Sequence, residues 1–115
     1  MNNFWKDIWD NKGSGDNEDL LYLDGYDHLD IEIDSGLIVS GILKTLGVSE
    51  GDSILEVGCG AGFLAREVSK KHDYKGVDYS EPIIDKHEKL FPEHDVRCAQ
   101  ANDLPFKDNE FDYCF

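Results

Sequence analysis

The 115-residue sequence predicts an α/β fold in which a parallel sheet is flanked by helices. Three observations support this class. Apolar runs of strand length begin near residues 53, 74 and 95, segments with helical periodicity separate them, and three closely spaced glycines follow the first run. Strands that are joined through helices pair in parallel, and ligands bind at the carboxyl ends of such strands. The sequence therefore predicts a binding site at the glycine cluster.

Residues 1–34 form the least regular part of the sequence. A short amphipathic helix is indicated by four apolar residues at helical spacing, Phe4, Trp5, Ile8 and Trp9. Residues 11–19 are polar and contain two glycines, which predicts a mobile loop. The acid-rich residues 24–34 lack the residue order of a calcium-binding loop, and so indicate a solvated connector rather than a metal site. We expect residues 1–34 to be an irregular N-terminal segment and residues 35–115 to be the domain.

The first regular helix is predicted over residues 35–46. Its apolar face is formed by Leu37, Ile38, Ile42, Leu43 and Leu46. Asp34 or Ser35 suits the N-cap, and Gly47 suits the residue that follows the C-cap. The turn Gly51-Asp52 then leads into the first strand, which is predicted from Ser53 to Val57.

Two further helix and strand pairs are predicted beyond the glycines. A helix over residues 61–71 with a basic end is followed by a strand from Tyr74 to Asp78. Ser80 suits the N-cap of a third helix, whose apolar face is formed by Ile83, Ile84, His87, Leu90 and Phe91. Strands are also predicted at residues 95–99 and 111–115. The sheet is therefore expected to be truncated after the start of its fourth strand.

Charge and composition favour some classes of partner over others. The sequence contains 11 Lys and Arg against 25 Asp and Glu, a formal net charge of −14, which repels nucleic acid phosphates and anionic lipids. No apolar run of 18 residues and no leader-like start are visible. The three cysteines lack CxxC spacing and are expected to be reduced thiols. These features predict a cytoplasmic protein with no membrane partner.

The residues Ile54 to Gly62 read Ile-Leu-Glu-Val-Gly-Cys-Gly-Ala-Gly, which is typical of a strand that ends in a glycine-rich turn before a helix. From Gly60 the sequence satisfies the dinucleotide pattern G-x-G-x-x-[G/A]. From Glu56 it reads E-x-G-x-G-x-G and resembles the first motif of the class I S-adenosylmethionine-dependent methyltransferases. Glu56 favours the second reading, because a carboxylate opposes a pyrophosphate but tolerates an ammonium and a sulfonium.

Asp78 ends the second predicted strand, 20 residues after Gly58. A carboxylate at this position can accept both hydroxyl groups of a ribose, in NAD or in S-adenosylmethionine. Asp78 therefore predicts a ribose-containing ligand without choosing between the two. Tyr79 is a candidate to pack its ring on the adenine.

A third stretch separates the two cofactors better. Ala101 to Phe106 ends in Leu-Pro-Phe, and Phe111-Asp112 follows, which closely resembles a methyltransferase motif. The resemblance spans residues 46–115. It implies a Rossmann-like fold, S-adenosylmethionine as cofactor, an adenine amino contact at Asp103 and a backbone contact at Leu104. The site residues that it implies are Glu56, Gly58, Cys59, Gly60, Gly62, Asp78, Tyr79, Asp103 and Leu104.

The family often folds an N-terminal segment over the cofactor, which makes four aromatic residues lid candidates, Trp5, Trp9, Tyr22 and Tyr26. They are equally suited to anchor the segment against the sheet. Methyl transfer depends mainly on proximity and alignment, so no catalytic residue is identified. The family sheet has seven strands, and we expect this sequence to be the cofactor-binding part of a longer enzyme, with little activity alone. An unpaired fourth strand is a possible route to self-association.

Two alternatives stay open, an NAD-binding half of an oxidoreductase and a non-catalytic module that acts through protein contacts. The methyl acceptor is not identified, although the acidic charge favours a small molecule over nucleic acid. His87 is expected to be a packed core residue, and Cys59 a small filler rather than a nucleophile. His28, His72 and His94 show no metal-ligand spacing, and Cys98 and Cys114 are expected to be buried filler.

Overall fold

The structure is a computed structural model that describes residues 3–27 and 33–115. The helices in these ranges are α1 (Phe4–Ser14), α2 (Leu20–Leu23), α3 (Ser35–Leu46), α4 (Ala65–Val68) and α5 (Glu81–Leu90). The strands are β1 (Ser53–Val57), β2 (Asp73–Asp78), β3 (Asp95–Cys98) and β4 (Tyr113–Cys114). All strand pairs are parallel, in the order β3-β2-β1-β4. The predicted α/β class is confirmed.

Strand β1 lies inside the sheet and sets its hydrophobic centre. Ile54 pairs with Tyr74 of β2 on one side and with Tyr113 of β4 on the other, and it is fully buried. The main core surrounds this position and consists of Val39, Ile54, Cys59, Ala65, Val68, Tyr74, Ile84 and Val96. A strand with neighbours on both edges and apolar cover is rigid, so its carboxyl end can hold a site in place.

The residues at both ends of α3 behave as the sequence predicts. The Asp34 carboxylate accepts hydrogen bonds from the amides of Gly36 and Leu37, and Gly47 adopts a left-handed φ of 75°. The predicted apolar face is partly wrong, however, because Leu37 is 73% exposed. The buried side runs through Ser35 and Val39, four residues apart, and Leu37 projects from the opposite side of the helix.

The predicted helix over residues 61–71 is much shorter in the structure. Only Ala65–Val68 is α-helical, and residues 61–64 form a turn. Gly62 has a φ of 111°, which an α-helix cannot include. The glycine cluster therefore forms a longer loop than the sequence predicts, and the amides of residues 61–64 are not part of an α-helix.

The N-terminal segment packs on the domain. Helix α1 continues through residues 11–14, which were predicted to be a loop, because Gly13 lies directly against the backbone of Pro82 and Ile83 in α5. The Lys86 ammonium also donates a 2.7 Å hydrogen bond to the Gly15 carbonyl. This packing carries residues 20–27 over the carboxyl end of the sheet. Residues 28–32, with His28 and the middle of the acid-rich run, lie outside the described residues.

Two expectations about the cysteines differ from the structure. Cys98 at the end of β3 and Cys114 in β4 are exposed, not buried. These strands are short and lie at the two edges of the sheet, so their side chains have few neighbours. No helix in the described part of the chain is long and apolar enough to cross a membrane.

Candidate functional site

A cleft of about 250 Å³ opens at the carboxyl ends of β1 and β2. Six of the predicted site residues line it or its entrance on the domain side, Glu56, Gly58, Cys59, Gly60, Asp78 and Tyr79. The N-terminal segment contributes the other wall, with Trp9, Leu23, Asp24 and Tyr26. The cleft therefore lies between the domain and the docked segment.

A second cavity of about 350 Å³ adjoins the first. The two share Gly58, Asp78 and Tyr79, so Asp78 stands where they meet. The far wall of the second cavity is the loop after β3, from Ala99 to Asn102. Ligand sites commonly measure roughly 300–1,000 Å³. The two cavities are therefore continuous at Asp78, and together they are called the groove.

Asp103 and Leu104 do not line this groove. They line a separate depression with Leu55 and Cys114. The chain turns after β3, where the Asp103 amide donates a 3.0 Å hydrogen bond to the Gln100 carbonyl, and this turn directs residues 100–102 toward Asp78. The structure therefore does not bring Asp103 together with Glu56 and Asp78, and Gln100 lines the second cavity with Asp78 instead.

The stretch around Asp112, which resembles a methyltransferase motif, has a structural role. Its carboxylate accepts hydrogen bonds from the Ser53 amide at 2.9 Å and from the Ser53 hydroxyl at 3.1 Å, which ties the start of β4 to the start of β1. Phe106 and Phe111 meet edge to face, with ring centroids 5.0 Å apart. The Leu-Pro-Phe and Phe-Asp residues thus shape the loop rather than the groove.

The three glycines of the loop face different surroundings. All have a positive φ, 79° for Gly58, 56° for Gly60 and 111° for Gly62. A side chain at Gly58 would meet nothing within 4 Å, whereas one at Gly60 would strike the Asp24 carboxylate and one at Gly62 the Phe91 ring. Gly58 is therefore the glycine whose backbone a ligand can approach. Gly62, a predicted ligand contact, faces the protein and does not line either cavity of the groove.

Asp24 is a site residue that the sequence pattern does not identify. Its carboxylate accepts hydrogen bonds from the amides of Ala61 at 2.6 Å and Phe63 at 2.9 Å. Burial raises the pKa of Asp24 to about 6, against the lowering effect of these amides. The acid-rich run gave no feature that distinguishes Asp24 from its solvated neighbours, because its partners lie 37 and 39 residues away in sequence.

Glu56 and Asp78 are held at the floor of the cleft. Glu56 is 5% exposed and accepts a 2.8 Å hydrogen bond from the Tyr74 hydroxyl. Burial raises the pKa of Glu56 to about 8, although the bond from Tyr74 lowers it. Asp78 accepts 3.0 Å bonds from the amides of Gly60 and Ser80, and burial raises its pKa too.

The ion pairs formed by the described residues include none of the three carboxylates Asp24, Glu56 and Asp78. The cleft is thus a partly dehydrated space whose acids have no cationic partner among the described residues, and Glu56, with a pKa of about 8, is largely protonated at pH 7 until a cationic ligand favours its charged form. Such a space favours a ligand that carries positive charge and disfavours a phosphate.

The aromatic lid candidates divide into two pairs. Trp9 and Tyr26 line the cleft, and the Tyr26 ring lies 4.8 Å from that of Phe63. Trp5 is 64% exposed, and Tyr22 packs beside the cluster of Leu23, Ala61 and Ile83 instead of lining the cleft. The structure therefore brings two of the four to the groove.

Cys59 and His87 behave as packed residues. Cys59 is 3% exposed, and burial raises the pKa of its thiol, which opposes a nucleophilic thiolate. His87 is fully buried behind the glycine loop, as predicted. Neither side chain offers a reactive group to the cleft.

The sequence matches a known family. The family described as "Methyltransferase domain" matches residues 54–115, more than half of the chain. A 2-phytyl-1,4-naphtoquinone methyltransferase from Nostoc sp. is 35% identical over 80 residues, covering 61% of this chain and 35% of the relative. A demethylmenaquinone methyltransferase from Staphylococcus aureus is 34% identical, covering 63% of this chain and 33% of the relative. This chain therefore spans about a third of the length of these curated relatives.

Solved structures share the fold. A phosphoethanolamine N-methyltransferase from Haemonchus contortus, solved with S-adenosylhomocysteine, aligns over 97% of this chain and 24% of its own, with a TM-score of 0.69 and 17% identity. An S-adenosylmethionine-dependent methyltransferase from Methanococcus maripaludis aligns over 70% of this chain and 40% of its own, with a TM-score of 0.63 and 17% identity. These likenesses confirm the predicted Rossmann-like fold. With the family match running from β1 into β4, the chain belongs to the methyltransferase domain family.

Proposed function

We propose that this chain is the cofactor-binding part of an S-adenosylmethionine-dependent methyltransferase. The observation that carries the proposal is the groove in which the carboxylates of Glu56 and Asp78 flank the open backbone of Gly58. Uncompensated acids suit the ammonium and the sulfonium of this cofactor. The family match supports the same conclusion.

The two ends of the groove suit the two ends of the cofactor. The methionine portion would lie in the cleft with Glu56, and Asp78, where the two cavities meet, would accept the ribose hydroxyls. The adenine would lie in the second cavity beside Tyr79 and residues 99–102. There the Gln100 side chain and the Ala101 amide would make the adenine contacts that the family resemblance assigns to Asp103 and Leu104.

The chain contributes binding and orientation rather than acid or base chemistry. The cofactor, held by Glu56, Gly58 and Asp78, would supply an electrophilic methyl group for an acceptor nucleophile and would be released as its neutral thioether, S-adenosylhomocysteine. Holding both reactants in line accounts for much of the acceleration of such a step. We therefore assign Glu56, Gly58 and Asp78 to cofactor binding and no residue of this chain to proton transfer.

We propose a small molecule as the methyl acceptor. The two curated relatives described above are named as quinone methyltransferases, and the negative charge of this chain disfavours nucleic acid. We also propose a cytoplasmic location, since the cysteines of the chain are free thiols. Self-association through the edge strand β4 is a further proposal, because its outer backbone groups have no strand partner in the described sheet.

The alternative functions have less support. A dinucleotide needs loop amides for its pyrophosphate, and in this loop the amides of Gly60, Ala61 and Phe63 are already bonded to Asp78 and Asp24. A non-catalytic module would be expected to have lost the cofactor motif, but Glu56, Gly58 and Asp78 are all in place.

Calorimetric titration of the chain with S-adenosylhomocysteine and with NADH tests the proposal. We expect heat with the first ligand and none with the second. Asp78→Asn should weaken binding at least tenfold, because the ribose loses a charged acceptor. Asp73→Asn is the matched control at the other end of the same strand, and should bind as the parent does. Binding of NADH alone would support the oxidoreductase alternative and contradict the proposal.

A further inference from the structure

We propose that Asp24 determines the specificity of this site by closing the glycine loop to phosphate and reserving the cleft for a ligand that bears positive charge. The inference rests on the proposed function, since it concerns the same groove. It assigns a role to a residue of the N-terminal segment, outside the motifs of the glycine loop and the sheet.

The first support is the hydrogen bonding of the loop. Free amides in a glycine-rich loop form a ready anion site, as they do around phosphates. Here the Asp24 carboxylate takes the amides of Ala61 and Phe63, at 2.6 and 2.9 Å. An anion belonging to the chain thus occupies the position that a phosphate would need.

The second support is the fit between Asp24 and Gly60. A side chain on Gly60 would collide with the Asp24 carboxylate. Because glycine has no side chain, the Asp24 carboxylate can lie directly on the loop. Gly60 thus serves the approach of Asp24 rather than that of a ligand. The loop and the N-terminal segment are therefore complementary at the contact between Gly60 and Asp24.

The third support is the anchoring of Asp24. It follows Leu23, which is fully buried in a cluster with Ala61 and Ile83. Its own amide is bonded to the carbonyls of α2 as the C-cap. Gly25, which follows, has a φ of 83° and lies against the Trp9 ring. Asp24 is therefore fixed by packing on both sides and is not a freely rotating surface acid.

The fourth support is charge. Asp24 lines the same cleft as Glu56 and Asp78, and these carboxylates form no ion pair within residues 3–27 and 33–115. Asp24 adds negative charge to the cleft, and this charge strengthens the binding of a cationic group but not of a neutral group. The chain should therefore distinguish the sulfonium of the methyl donor from the neutral thioether of the product.

Titrations of the parent chain and Asp24→Asn with S-adenosylmethionine and S-adenosylhomocysteine test this inference. The parent should bind the sulfonium form more tightly, and Asp24→Asn should reduce the ratio of the two affinities about tenfold, which corresponds to the loss of one partly screened charge. Asp16→Asn, in the same segment but exposed, is the matched control and should keep the ratio.

A second variant probes the loop. Asp24→Ala frees the amides of Ala61 and Phe63, and should gain binding of inorganic pyrophosphate that the parent lacks. An unchanged affinity ratio in Asp24→Asn together with no pyrophosphate binding by Asp24→Ala would overturn the inference. If neither variant folds, amide exchange in the parent decides, because slow exchange at Ala61 and Phe63 supports the inference and rapid exchange at both overturns it.

These outcomes separate this inference from the proposed function. A parent chain that binds neither S-adenosylmethionine nor S-adenosylhomocysteine contradicts the function. A parent chain that binds both, with a ratio that Asp24→Asn does not change and no gain of pyrophosphate binding, contradicts only the role of Asp24.

Discussion

The His87 ring donates a 2.8 Å hydrogen bond from Nδ1 to the carbonyl oxygen of Gly60. A carbonyl can only accept, so Nδ1 carries the proton and the Nε2 of a neutral ring is left as an acceptor. His94 Nδ1 lies 2.9 Å from that Nε2, and His94 Nε2 lies 3.1 Å from the Ser69 hydroxyl. With both rings neutral the bonds therefore run in one direction from Ser69 to the glycine loop, and protonation of both rings would place two N–H groups opposite each other and break the bond between the rings.

This chain of hydrogen bonds predicts a loss of stability in acid. Burial lowers the pKa of His87 to about 4, below the usual value of an exposed histidine, and it lowers the pKa of His94 too. The stabilisation is therefore present above about pH 6.5 and is lost as the pH falls toward 4. Urea unfolding at pH 7.5 and pH 5 should show His87→Gln losing less stability between the two pH values than the parent. His72→Gln, which lies outside this series of hydrogen bonds, should lose as much stability as the parent. If His87→Gln lost as much stability between pH 7.5 and pH 5 as the parent does, the prediction would be contradicted.

Glu56 predicts the opposite response in alkali. Its pKa is raised to about 8 by burial, so the folded state holds a proton that the unfolded chain releases near pH 4.5. Its contribution is complete below pH 4.5 and is lost as the pH rises to 8, at about 1.4 kcal/mol for each unit of pKa difference. Above pH 6.5, where His87 and His94 are already neutral, the free energy of unfolding should fall in the parent and stay nearly level in Glu56→Gln. Glu50→Gln, at an exposed turn, is the control. If the free energy of unfolding of the parent did not change between pH 6.5 and pH 8, the pKa of Glu56 would not be raised.

Gly58 and Gly47 form a matched pair that separates binding from stability. Both have left-handed φ values, 79° and 75°, and a side chain at either would meet nothing within 4 Å. Replacement by alanine should cost each about 1–2 kcal/mol of stability from backbone strain. Only Gly58→Ala should also weaken S-adenosylhomocysteine binding, by at least tenfold, because the new methyl group enters the groove. Equal affinity of the two variants in calorimetric titration would remove Gly58 from the site.

The docking of α1 on α5 is predicted to support cofactor binding. A side chain at Gly13 would lie 2.5 Å from backbone atoms of Pro82 and Ile83, which cannot move aside easily. Gly13→Val should therefore displace the N-terminal segment, lower the affinity for S-adenosylhomocysteine and expose residues 1–27 to limited proteolysis. Gly15→Ala, whose added carbon makes only ordinary contacts, should do neither. An undisturbed affinity in Gly13→Val with a cleaved N-terminal segment would show that the segment is dispensable for binding.

The cysteines predict a simple labelling pattern. Cys98 and Cys114 are exposed, whereas Cys59 is 3% exposed with a raised pKa. In the folded chain, a thiol reagent at pH 8 should modify the first two rapidly and Cys59 only after denaturant is added. The variant that carries both Cys98→Ser and Cys114→Ser should show no rapid reaction. Rapid modification of that variant would place Cys59 at the surface.

Much of the fold could be predicted because its determinants are local. The bounds Ser53–Val57 and Ser35–Leu46 follow from an apolar run before glycines and from an Asp cap and a Gly stop, which are readable within a few residues. Glu56 and Asp78 lie in one groove, because parallel strands bring their carboxyl ends to the same edge of the sheet. Local pattern did not show which side of α3 is buried, since Leu37 fits an apolar face equally well.

The sequence by itself determined the order of the strands and of the helices between them, the position of the glycine loop and the two acids at its edge. Only the tertiary structure decided that Asp24 lies on that loop, that Gln100 rather than Asp103 lines the groove with Asp78, and that His87 and His94 share a hydrogen bond. Each of these pairings joins side chains through turns or across distant segments, and depends on how the chain packs. Periodicity and capping report the conformation of neighbouring residues, whereas such contacts are set by the packing of the whole fold.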